Sequence, residues 1–64
     1  MRSISLRAAR VDNNMTQEDV AVKMNVTKKT VAAWESGKSM PNADKVGKLC
    51  DLLGFKYDEI RWRG

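Results

Sequence analysis

The chain has 64 residues, with twelve Lys and Arg against eight Asp and Glu, a formal charge of +4, no His, one Cys and two Trp. Without His there is no imidazole base and no His-bearing metal site, and a single thiol closes no intrachain disulfide. No apolar run reaches the length of a membrane span or a secretory signal, so we expect one small cytoplasmic domain over residues 1–64 without cofactor or metal, and an acidic partner, nucleic acid first.

Helix punctuation dominates the reading, and strand signals are poor. Ser3 or Ser5 can cap a first helix to about Asn13, with Leu6, Ala9 and Arg10 on one face. Asn14 then takes the left-handed stop that Gly fills most often and Asn second. Thr16 opens a second helix, Gln17 to Met24. Its hydroxyl can accept from the amide of Asp19, whose charge suits the first turn. Val20, Ala21 and Met24 face inward. Asn25 is the next left-handed stop, and Thr27 caps a third helix from Lys28 to Ser36, ended by Gly37.

After the loop Lys38-Ser39-Met40-Pro41, Asn42 can cap a fourth helix to Leu53. Val46, Leu49, Cys50 and Leu53 lie at i, i+3, i+4 and i+7, an amphipathic stripe, and Gly54 stops it. From Phe55 to Gly64 two forms fit: a fifth turn around Tyr57 to Ile60, or a short arm in which Ile60 and Trp62 alternate with Arg61 and Arg63. The predicted class is all-α, with four or five short helices.

Two short helices joined by Asn25-Val26-Thr27 have the lengths of a helix-turn-helix. Such a turn needs a residue tolerant of positive φ, a small residue where the helices cross, and a branched apolar plug. Asn25, Ala21 and Val26 supply them. On the third helix Val31 and Trp34 point one way, so Trp34 is predicted to be core. Lys28, Lys29, Ala32, Ala33 and Ser36 point the other way. A major groove about 12 Å wide admits a helix of this kind: lysines reach guanine O6 and N7, and alanines touch thymine methyls.

Arg10, Thr16-Gln17, Ala21, Val26, Trp34-Glu35-Ser36-Gly37-Lys38, Pro41 and Leu49 to Gly54 resemble the Cro/repressor-type helix-turn-helix family, also called the xenobiotic-response-element type. The similarity runs from about Leu6 to Phe55, and the opening segment is similar to small phage and prophage regulators. The resemblance implies a compact, five-helix, lambda-repressor-like domain. Its third helix would lie in the major groove, as a homodimer on an inverted repeat of double-stranded DNA. It implies base contacts from Lys28, Lys29, Ala32 and Ala33. Backbone contacts would come from Gln17 and Thr27 and from Ser36, Lys38, Ser39 and Asn42, with Asn42 also readable as a cap. Gln17 can reach a phosphate at the start of its helix or brace the third helix.

The resemblance also implies an internal ion pair, Arg10 with Glu35, which makes Arg10 a structural residue. Leu52, Tyr57, Ile60 and Trp62, in the tail 56–64 and just before it, are candidates for a dimer seam. Trp62 can equally close the core beneath Phe55. Cys50 reads as a small buried hydrophobe. Asn14 and Asn25 replace the more usual Gly of the pattern, which Asn tolerates. Lys56 stands where a fifth helix usually has a Ser, Thr or Asp cap.

An operator-binding repressor or Cro-type protein is the primary reading. The same fold also serves antitoxins with a toxin partner, protein-interaction modules, and N-terminal domains of longer repressors. Asp58-Glu59 and Glu18-Asp19 fall on exposed turns without a pocket-forming sequence, so an enzyme is not expected.

Overall fold

Every helix begins where a side-chain oxygen can accept from an otherwise unpaired amide. The computed structural model describes residues 3–62. Strand β1 (Ile4–Ser5) leads into α1 (Leu6–Asp12), where the Ser5 hydroxyl accepts from the Ala8 amide at 3.0 Å. Helix α2 (Gln17–Met24) starts with a reciprocal box. The Thr16 hydroxyl accepts from the Asp19 amide at 3.0 Å, and the Asp19 carboxylate from the Thr16 amide at 2.9 Å. That closure satisfies two of the amides a helix start leaves open. The Thr16 backbone and hydroxyl bonds, with Lys23 adding its field, hold the Asp19 carboxyl below the usual carboxylate range.

Helix α3 (Lys28–Ser36) is capped by Thr27 and α4 (Ala43–Leu53) by Asn42, each accepting from the amide three residues on. The stops are left-handed at Asn14 (φ 59°), Asn25 (φ 58°), Gly37 (φ 82°) and Gly54 (φ 76°). Helix α1 ends at Asp12, one residue before the expected limit, because the Asn13 amide group turns back. It donates to the Ala9 carbonyl at 2.8 Å and to the Leu53 carbonyl at 2.9 Å, tying the ends of α1 and α4 together.

One apolar cluster unites all four helices. Leu6 and Ala9, Val20, Ala21 and Met24, Val31 and Trp34, and Val46, Leu49 and Leu53 are all buried in it. Between α2 and α3 the Val26 amide donates to the Ala21 carbonyl at 2.9 Å, and the Val26 side chain packs half-buried against the core. Cys50 is half-buried at the edge of the stripe, and burial, aided by the Asp51 charge, raises its thiol pKa.

The tail adds a short clasp to the expected all-α fold. Lys56 offers no side-chain cap, and the Glu59 carboxylate accepts from its amide instead, at 2.8 Å. The result is one 3-10 turn, Tyr57–Glu59, in place of a fifth α-helix. Strand β2 (Ile60–Arg61) follows and pairs parallel with β1, Ile4 opposite Ile60 and Ser5 opposite Arg61. The fold is therefore mostly helical, four α-helices closed by a two-stranded clasp. The turn and the arm, read from sequence as alternatives, both form, in succession. Arg63, the last member of the alternation, lies outside the described residues.

Candidate nucleic-acid interface

Helix α3 presents two faces. Val31 and Trp34 are buried in the core, while Lys28, Lys29 and Ser36 are exposed and Ala32 and Ala33 half-buried on the outer side. The helix is aimed by Glu35, whose side chain is 6% exposed and forked onto Arg10 of α1, itself 11% exposed. Arg10 Nε donates to Glu35 Oε2 at 2.6 Å and Nη2 to Oε1 at 3.3 Å, while Nη1 donates to the Met15 carbonyl at 2.8 Å. A planar guanidinium bonded on three sides fixes direction in a way a lysine ammonium does not. Gln17 completes the arrangement by donating from Nε2 to Glu35 Oε1 at 3.1 Å. Of its two sequence readings, the brace is the one the side chain adopts, with its carbonyl oxygen left over. The Met15 carbonyl as third acceptor for Arg10 carried no sequence signal, because any residue type supplies one.

Around this axis seven of the ten expected contact residues line two hollows, while Thr27, Ser39 and Asn42 line neither. One, of about 460 Å³, is lined by Arg10, Met15, Thr16, Gln17, Glu18 and Lys28, so the starts of α2 and α3 open onto the same space. Free amides at a helix start favour an anion there. The second, of about 330 Å³, is lined by Lys29, Ala32, Ala33, Ser36 and Lys38, which joins the outer face of α3 to the loop beyond it. Lys38 and Ser39 are exposed, and both their amides donate to the Ala33 carbonyl, folding that loop against the helix end. Lys28, Lys29 and Lys38 form no ion pair among the described residues.

Several polar groups on this side are already engaged. The Thr27 hydroxyl caps α3 and lies 2.9 Å from the Thr30 hydroxyl. The Ser36 hydroxyl donates to the Ala33 carbonyl, and Asn42 Oδ1 caps α4. The candidate seam residues are divided. Ile60 and Trp62 are buried in the chain's own core, Leu52 is half-buried against it, and Tyr57 is 57% exposed. Trp62 donates from its indole to the Tyr57 carbonyl at 3.0 Å, and the two rings stack with centroids 5.7 Å apart. Trp62 thus takes the core-closing role.

A helix-turn-helix family model of the Cro/C1 type matches residues 6–60. The chain belongs to that family. Its curated relatives include an uncharacterized HTH-type transcriptional regulator of Methanocaldococcus jannaschii, 36% identical over 55 residues, which cover 86% of this chain and 83% of the relative. The HTH-type transcriptional activator BcrR of Enterococcus faecalis is 31% identical over 86% of this chain and 27% of its own length. Endothelial differentiation-related factor 1 of Homo sapiens is 33% identical over 80% and 34%. The chain therefore spans most of the archaeal relative but only about a third of the longer ones. Membership makes the chain a helix-turn-helix DNA-binding domain with the lambda-repressor-like fold, in a family whose members are typically non-enzymatic regulators. No helix among the described residues is long and apolar enough to cross a membrane.

Proposed function

We propose that this chain regulates transcription by occupying an inverted-repeat operator as a homodimer, in the manner of phage repressors and Cro proteins, with α3 in the major groove. The carrying observation is the outer face of α3, where Lys28 and Lys29, without an ion-pair partner among the described residues, stand beside the small Ala32 and Ala33 on a helix locked by Arg10 and Glu35. Lys28, Lys29, Ala32 and Ala33 face base edges; Lys38, Ser39 and Asn42 meet the phosphates, and Gln17, Thr27 and Ser36, already bonded within the chain, flank them. Contacts of the second kind position a protein without reading sequence. Exposed Tyr57 in the tail and half-buried Leu52 on α4 are what the chain offers a second copy.

Selection from a random duplex pool at about 150 mM salt tests this. Wild-type protein should recover an inverted repeat with half-sites about 34 Å apart, and a Lys28→Ala/Lys29→Ala variant should not. With ~6–10 phosphate contacts, affinity should fall about 10³–10⁵ between 50 and 200 mM salt. Absence of any enriched duplex, or a salt slope near zero, refutes the reading.

A second reading has its own support: one relative is named multiprotein-bridging factor 1, of Debaryomyces hansenii, 35% identical over 81% of this chain, and Val22 on α2 is an apolar side chain 74% exposed. On that reading the domain docks a protein, and reversing the charge of Lys28 and Lys29 leaves function intact. A toxin would be one such partner.

A further inference from the structure

Resting on the homodimer reading, we infer that Asn13 is a positioning residue. It fixes α1 to the end of α4, and thereby sets the distance and angle at which two copies hold their α3 helices. Three observations lead there. First, the Asn13 side-chain amide has two hydrogens to donate and meets two carbonyls, Ala9 at 2.8 Å and Leu53 at 2.9 Å. Each belongs to the last turn of a helix, where the helix supplies no amide of its own. Among the described residues no other side-chain hydrogen bond or ion pair joins α4 to another helix.

Second, Arg10 lies three residues before Asn13 and ties the same helix to α3 through Glu35, while Gln17 of α2 donates to that carboxylate. Helices α1, α2 and α3 are thus bonded into one body. The clasp holds the tail at Ile60 and Arg61, but α4 itself meets the body through apolar packing and the one bond from Asn13. Apolar packing is non-directional, whereas a hydrogen bond is confined in length and angle. Third, that bond lands beside the candidate seam. Leu53 follows half-buried Leu52 and stands four residues before exposed Tyr57, and its side chain lines the same core space as Arg10 and Glu35. Helix α1 is therefore a strut, with the seam bonded to one end of it and the reading helix one turn away.

The experiment uses the operator recovered by selection, the same duplex with its centre lengthened or shortened by one base pair, and a duplex carrying one half-site. One base pair turns the half-sites by about 35° against each other. Coupling between two sites is worth about 5–150-fold, so wild-type protein should prefer its own spacing by a factor in that range. Asn13→Ala should bring the preference close to unity and leave half-site affinity unchanged. Cys50→Ala, which loosens α4 without touching the bond, should keep the preference, a result that separates lost positioning from lost stability. The strut is overturned, and the operator reading stands, if the wild type is indifferent to spacing or Asn13→Ala keeps the wild-type preference. The same holds if Asn13→Ala weakens the half-site as much as the whole operator, or if Cys50→Ala loses the preference too. If selection recovers no inverted repeat, the homodimer reading fails and the strut falls with it.

Discussion

Replacing Glu35 by Ala should come close to unfolding this domain, although it removes a single carboxylate. The Arg10 side chain is 11% exposed and gives Glu35 two of its three hydrogen bonds. Without Glu35 the guanidinium keeps only the Met15 carbonyl, and its charge stays in a site lined by Leu6, Val20, Val31 and Trp34. Leaving one partner of a buried pair uncompensated costs about 3–5 kcal/mol. A domain of this length has roughly 3–10 kcal/mol in total. With a urea slope of about 1 kcal/mol/M, the midpoint should drop by about 3 M or the protein should be unfolded in buffer. Tryptophan fluorescence reports the transition directly, since Trp34 and Trp62 are both buried.

The double variant Arg10→Met/Glu35→Leu should regain most of the loss, because removing both charges also removes the desolvation each suffers. A Glu35→Ala variant costing under about 1 kcal/mol, the range of an exposed pair, would refute this account. So would a double variant no more stable than the single.

Three further outcomes follow from the same structure. Trp62→Ala should cost about 3–5 kcal/mol of unfolding free energy at concentrations where the protein is monomeric, whereas a tryptophan serving only a seam between copies would change dissociation alone. The Asp19 carboxyl is held below its ordinary value in the folded state, so its contribution is full above the unfolded pKa and is lost as pH falls through the folded one. Urea midpoints of wild type and Asp19→Asn should therefore differ at pH 7 and converge in strong acid. Asn25→Ala should destabilise by about 1 kcal/mol while Asn25→Gly does not, because φ is 58° there and the left-handed region penalises a Cβ; equal midpoints for the two would count against it.

The helix-turn-helix was written out locally, which is why its limits could be read residue by residue. Thr16 and Thr27 announce the starts of α2 and α3, and Asn25 and Gly37 their ends, each within one turn of the helix it bounds. For the clasp the signal was partial: alternation at Ile60 to Arg63 offered an arm, but β1 showed none, and nothing local pairs Ile4 with Ile60, which lies beyond all four helices in the chain. The same distance hid the bond from Asn13 to the Leu53 carbonyl, 40 residues on. For the interface, sequence placed the residues of α3 on the correct faces. It did not show which hydroxyls are free, since Ser36 and Thr27 look available until their own neighbours are seen to engage them.

The parallel sense of the clasp has a mechanical consequence. Because β1 lies next to the start of the described chain and β2 next to its end, with Ile4 beside Ile60 and Ser5 beside Arg61, tension applied at the two ends does not peel the strands apart one bond at a time. It slides them past each other, so that the ladder must yield together while Ile60 and Trp62 are dragged out of the core. Pulled by its two ends, the domain would therefore resist in shear rather than unzip.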